Sequence, residues 1–416
     1  MNELSGSFSY DPYGKEVLRN PVPFYQELQA NHPVYYVEKY DMFVFTRFQD
    51  IIDVLGVTND NTWMGSESTL PTPEVMARIN HGAPPVPGSN PMAPGPTLPS
   101  PQYEEMRLTW SKPLRPKAVK AMEEFVRDTT VGLLRDLLPR GRFDIMVDLG
   151  GMVAAAVTCK LFGIPQEQAR EVLDTVNAMS IYNETSEKVD IPALFQKLKD
   201  FIVPAIRRRR AAGADGEVAL IDGLINHRTR DEDRALGDDE ISDQLVCAFI
   251  ANTETPPKPA GNGLMALRNH PDQLAAVRAD LDTNVPVAVE EMLRICTTSQ
   301  WTVRTAHRDT VVAGQPIKAG QRILVSTFAA SRDPREFANP NEFIWNRSIS
   351  RSLTFGYGRH HCVGNHVARQ QIRIVVGEFL RHVADYDFDL ESAYHSASYF
   401  HWGYMTLPVI VNRYTL

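Results

Sequence analysis

No stretch of this chain is apolar and long enough to cross a bilayer. Its first sixteen residues, MNELSGSFSYDPYGKE, contain no basic segment leading into an apolar run. These absences argue against a membrane anchor or secretory leader, and the expectation is a soluble, cytoplasmic protein. Cysteine is scarce. Cys159, Cys247, Cys296 and Cys362 lie far apart without CxxC spacing, which argues against a disulfide framework or a zinc site. The chain has no basic or acidic tail, and a net charge of −8 argues against general nucleic-acid binding. No internal repeat is visible.

The chain does have bulk. Its 416 residues, 43% hydrophobic and 23% charged, are ordinary for a globular protein and enough to enclose a large cofactor. Apolar periodicity predicts helices over 23–30, 48–55, 117–138, 143–162, 166–179, 192–212 and 363–382, and most persistently over 238–267. Runs over 34–37, 42–46, 303–312 and 322–327 read as strands, as does the C-terminus. The stretch from Pro71 to Pro101 is too rich in proline, glycine and serine for a packed helix. The basic run Arg207 to Arg210 ends a helix, where a solvated face suits the macrodipole.

The most informative segment is Phe355 to Gly364, FGYGRHHCVG. It places Cys362 after a glycine-broken turn that runs into an apolar helix. A helix N-terminus favours an anion and lowers a thiol's pKa, so a thiolate there is suited to bind metal. Burying one structural thiol would not require Gly356, Gly358, His360 and Gly364 around it.

The segment resembles the haem-ligand loop of cytochromes P450, F-G-x-G-x-H-x-C-x-G, at every fixed position. The resemblance implies one P450 domain over 1–416, a mainly α fold with minor β: a helical bundle around haem plus small β-sheets. It implies haem b (iron protoporphyrin IX), with Cys362 as iron ligand. In VEEMLRI, Glu291 and Arg294 stand three apart, and FANPNEFIWNR follows at the spacing of the P450 meander. The family pattern joins Glu291, Arg294 and Arg347 in a buried ion network. Haem propionates need cationic or hydrogen-bonding partners. The resemblance assigns them Arg107 and Arg304 as ionic partners, with His360 as a hydrogen-bond donor. Tyr103 is a further donor, standing where the family usually has His or Trp.

The family's oxygen-handling signature, A-G-x-[DE]-T-T, reads here Ala251-Asn252-Thr253-Glu254-Thr255-Pro256. By resemblance Glu254 and Thr255 are the acid and alcohol that relay protons toward dioxygen. Two departures stand out. Asn252 replaces a glycine, and Pro256, Pro257 and Pro259 interrupt the helix; Pro256 deprives the Asn252 carbonyl of its partner and Pro259 that of Thr255. The expectation is a wider or more rigid opening, filled by water or the Asn252 side chain. The alternative is a misplaced relay that leaks peroxide.

The implied activity is monooxygenation, hydroxylation or oxidative dealkylation of a small to medium hydrophobic substrate by a monomeric enzyme. Electrons derive from NAD(P)H through a separate ferredoxin and ferredoxin reductase. Lys112, Arg115, Lys117 and Arg359 are candidate docking residues. Two alternatives stay open: a peroxide-driven peroxygenase and a non-catalytic haem-binding protein. Substrate contacts are expected from 71–101, 179–191, 249–253, 298–303 and 399–405, including Thr298, Ser299, Gln300, Trp301, Phe400, Trp402 and Tyr404.

Overall fold

The computed structural model describes residues 8–56, 63–65, 98, 101–180, 191–230, 233–397 and 401–416. The helices that position the site are α1 (Phe48–Gly56), α2 (Gln102–Ser111), α3 (Glu123–Leu137), α4 (Met152–Leu161) and α5 (Ala169–Ser180). They continue with α6 (Ile191–Ala211), α7 (Asp238–Glu254), α8 (Pro257–Arg268), α9 (Leu281–Ile295) and α10 (Asn365–His382). The strands used below are β1 (Val34–Val37), β2 (Met42–Phe45), β3 (Trp63–Gly65), β4 (Arg142–Asp144) and β5 (Thr302–Ala306). After them come β6 (Arg322–Val325), β7 (Val383–Phe388), β8 (Tyr394–Ala397), β9 (Trp402–Thr406) and β10 (Pro408–Tyr414).

Two helical cores share the long central helix pair. In α3, Val126, Thr130, Leu134 and Leu137 recur at helical spacing and form one buried stripe. That stripe meets Val367, Val375 and Phe379 of α10, with Ala288, Val289 and Met292 of α9 and Leu264 and Leu267 of α8 completing the core. On the other side, Ile241, Leu245 and Phe249 of α7 pack with Cys159 of α4, Val172 and Val176 of α5, and Leu198 and Ile202 of α6.

The sheets are small and peripheral. The largest runs β1-β2-β6-β5-β3; β2 and β6 pair in parallel with Phe43 opposite Ile323, and the other pairs are antiparallel. A second sheet runs β4-β10-β7, and β8 pairs with β9. The expected helix over 143–162 therefore begins later, because Phe143 and Asp144 pair with Val409 and Pro408 as strand β4. Backbone pairing across the chain overrides the local apolar pattern there.

The helix expected over 238–267 is divided. It ends at Glu254, turns through Thr255 and Pro256, and resumes at Pro257. Pro256, Pro257 and Pro259 have no N–H to offer the carbonyls of Asn252, Thr253 and Thr255. Pro257 at the first position of α8 is where a missing N–H does least harm.

Candidate functional site: a cysteine loop, a cationic cluster and a broken helix

The cysteine loop is shaped by two glycines. Gly356 and Gly358 have φ of +70° and +67°, the left-handed region that disfavours side chains. At Gly358 a Cβ would lie 2.0 Å from the Leu55 carbonyl oxygen, so the loop touches α1 backbone to backbone. The Cys362 N–H donates to the Phe355 carbonyl at 2.9 Å, closing the loop just before α10. Burial raises the thiol's pKa, while the N–H of Gly364, Arg107 and Arg369 act in the opposite direction.

Beside this loop the structure collects cations. Arg107 donates to the Tyr103 hydroxyl at 3.0 Å and to the His361 carbonyl, and the Tyr103 hydroxyl donates to the Arg359 carbonyl at 2.9 Å. The His360 ring lies 4.4 Å from that of Tyr103. Burial and the charges of Arg304, Arg359 and Arg107 push His360 down to about 2, so it is a neutral imidazole with one N–H to give. Arg304 donates to the Thr302 hydroxyl at 2.8 Å and the Val303 carbonyl at 2.9 Å; burial and Arg359 lower its pKa to about 10. Arg359 pairs with Glu104 at 2.6 Å and lies over the Tyr103 ring. It is thus engaged inside the cluster and does not join the exposed Lys112, Arg115 and Lys117 as a docking residue.

Three guanidiniums and a neutral histidine thus lie together, and among the described residues Glu104 is a carboxylate in contact with them. A group carrying two carboxylates, next to a thiol able to ligate iron, is the chemistry these donors fit. The donor set present therefore fits a group of haem's chemistry.

Behind the loop, Glu291 receives both Nε and a terminal nitrogen of Arg294 at 2.7 and 2.8 Å, and Arg347 Nε at 3.1 Å. Glu291 and Arg294 are fully buried, and Arg294 also donates to the carbonyls of Ser331, Pro340 and Glu342. The ion network expected from the sequence is present.

At the helix break, the Thr255 hydroxyl donates to the Ala251 carbonyl at 2.8 Å. Glu254 is buried, its Oε1 2.7 Å from His401 Nδ1 and 3.1 Å from Lys258 Nζ. Neither partner was read from the sequence. Lys258 had a signal, since it stands four residues after Glu254; His401 had none. Asn252 does not fill the opening with its side chain. Its amide donates to Thr158 Oγ1 at 2.8 Å and accepts from Gln371 at 3.0 Å, tying α7 to α4 and α10.

The aromatic residues expected at the substrate site divide differently. Trp301 is core, edge-on to Tyr13. Trp402 and Tyr404 line a cavity of ≈ 1040 Å³ with Asn262, His270, Phe343 and His395, and Cys362 and Thr255 are not in its wall. Thr298 and Gln300 are buried, Gln300 accepting from Tyr25 at 3.3 Å. The expected contacts over 71–97, 99–100, 181–190 and 399–400, including Phe400, lie outside the described residues. Among the described residues no helix is long and apolar enough to cross a membrane.

The sequence model of cytochrome P450 matches residues 99–391. Cytochrome P450 126 of Mycobacterium tuberculosis is 30% identical over 285 residues, 67% of this chain and 68% of that one. Vitamin D(3) 25-hydroxylase of Pseudonocardia autotrophica is 28% identical over 378 residues, 90% and 89% of the two chains. Among solved structures, the cytochrome P450 PksS of the Bacillus subtilis bacillaene polyketide synthase superposes with a TM-score of 0.81 at 23% identity, covering 97% of this chain and 100% of that one.

Proposed function

Since the chain belongs to the cytochrome P450 family, and so is a haem monooxygenase, we propose that it inserts one oxygen atom from O2 into a small to medium hydrophobic molecule, by hydroxylation or oxidative dealkylation. Haem with a cysteine thiolate ligand supplies the oxidising chemistry, the thiolate's electron density favouring O–O cleavage. The protein's part is to hold, orient and supply protons. Arg107 and Arg304 neutralise the propionates and His360 donates a hydrogen bond to them; Tyr103, expected as a further donor, instead gives its one proton to the Arg359 carbonyl and receives Arg107, holding that guanidinium in place. Glu254 and Thr255 stand at a break in the helix, where a carboxyl and a hydroxyl can pass protons directly or through water.

Electrons come from NAD(P)H through a ferredoxin and its reductase, with exposed Lys112, Arg115 and Lys117 as docking charges. The substrate reading draws support from the relative named as a vitamin D(3) 25-hydroxylase.

The observation that carries the proposal is the joining of Cys362 to a cationic cluster. The retained Glu254–Thr255 pair favours electron-driven turnover over a peroxide-driven peroxygenase or a non-catalytic haem carrier. The test uses the purified haem-loaded protein with a generic ferredoxin and reductase. Hydrophobic compounds are first screened by optical displacement of iron-bound water, and the best is then assayed for NAD(P)H-dependent oxidised product. Product that forms with peroxide alone and never with the reductase system would refute the electron-driven reading. Cys362→Ala should abolish the thiolate-type Soret band of the reduced carbon monoxide complex.

A further inference from the structure

Glu254 sits in a cluster of three ionisable side chains, all buried: Glu254, Lys258 and His401. One carboxylate oxygen, Oε1, faces both partners, at 3.1 Å from Lys258 Nζ and 2.7 Å from His401 Nδ1. Lys258 does a second thing. Its Nζ also donates to the Glu254 carbonyl at 3.1 Å, capping the end of α7 where the prolines interrupt the helix and the dipole is negative. His401 arrives from the opposite end of the chain, beside β9, where its backbone bridges to Ser299 and the Trp402 N–H donates to the Thr298 carbonyl at 3.1 Å.

We propose that Lys258 and His401 are positioning residues for Glu254, fixing its carboxylate at the helix break from the C-terminal side. This rests on the reading of Glu254 as the acid of the proton relay. Glutamate and lysine are almost never buried except as a pair, and a buried ion pair gives little or no stability over apolar side chains of the same volume. A third polar group brought in from a distant strand to the same oxygen makes orientation the purpose of the cluster. The consequence for function is that Glu254 is held ready and is not free to swing with solvent. Among the described residues, Glu254 from α7 and Lys258 from α8 are the charged groups acting on His401. Burial and Lys258 lower its pKa and Glu254 raises it, so its Nδ1–H is the donor in a neutral ring.

The test compares His401→Leu, His401→Gln and Lys258→Met in the haem-loaded protein with ferredoxin, reductase and the best compound from the displacement screen. His401→Leu should raise peroxide released per NAD(P)H severalfold while leaving the thiolate Soret band in place. His401→Gln, whose amide can donate to the same oxygen, should restore most of the coupling. Lys258→Met removes a cation beside the carboxylate and should move the acid limb of the coupling–pH profile upward by about one unit. Independently of turnover, the imidazole resonances of His401 in the reduced carbon monoxide form should titrate at lower pH in Glu254→Gln than in wild type. Wild-type coupling in His401→Leu, an unmoved pH limb in Lys258→Met, or an unchanged His401 titration in Glu254→Gln would each overturn the proposal. Loss of the thiolate band from the wild-type protein would instead overturn the haem-thiolate reading beneath it, and the His401 titration, repeated on the protein without carbon monoxide, would still report the contact.

Discussion

Arg304 is a half-buried guanidinium held by one hydroxyl and one backbone carbonyl, with no carboxylate among the described residues that act on it. In the proposed haem site its counter-charge would be a propionate. Replacing it with leucine removes charge-assisted hydrogen bonds worth about 1.5–3 kcal/mol, so Arg304→Leu should weaken haem retention by roughly 10- to 100-fold, measured by transfer to apomyoglobin. Thr255 stands at the break with its hydroxyl on the Ala251 carbonyl. A general acid–base group contributes about 10²- to 10⁴-fold, and Thr255→Ala should lower product per NAD(P)H at least ~10-fold while NAD(P)H oxidation continues and peroxide accumulates. An unchanged product yield would remove Thr255 from the relay. At this scale the sequence was informative where partners are close in the chain or belong to a fixed spacing. Tyr103 and Arg107 share a face one turn apart, and the cysteine loop is contiguous. His401 lies in FHWGY, which has no pattern of its own, and only the folding of the C-terminal strand against α7 and α8 shows what it touches.

Helix α9 and the segment 331–347 are joined by a charge arrangement that no single helix could hold. Glu291 receives two arginines and the Ile344 N–H at 2.9 Å, all shielded from water. Removing its charge leaves Arg294 and Arg347 uncompensated. Glu291→Gln should therefore cost about 3–5 kcal/mol, read from denaturant unfolding of the haem-loaded protein, with the thiolate Soret band lost in the same transition. A loss below about 1 kcal/mol would mean that the carbonyls of Ser331, Pro340 and Glu342 suffice for Arg294. Element boundaries show where local pattern fails. The proline run marked the division of the long helix because a missing N–H is a local fact. The start of the helix expected at 143 was hidden because β4 exists only through its pairing with β10. Likewise the Asn252 amide turns sideways to Thr158 and Gln371, partners 94 and 119 residues away.

For the whole molecule, acid is the informative stress. Burial holds His227, His395 and His401 below the ordinary histidine range. Each is neutral in both folded and unfolded chains well above pH 6.5, so none affects stability there. Below about pH 6.5 the unfolded chain takes up protons that the folded chain refuses, and stability falls as pH drops toward the depressed folded values. The melting temperature should decline on acidification from pH 7 to 5, and His395→Asn should flatten that decline; an identical slope would show that His395 does not contribute. The mainly helical architecture with small edge sheets was legible from periodicity and the cysteine motif together. The pairing order of the sheets was not, since β2 and β6 are separated by most of the chain.

Where Gly358 meets the Leu55 carbonyl, no side chain stands between that turn of the cysteine loop and α1 to absorb a displacement. The loop that carries Cys362, the proposed iron ligand, is thus tied through its backbone to a segment some three hundred residues upstream. A proteolytic nick that loosened α1 would be visible by eye, as a bleached protein, before it was detected as an unfolded one.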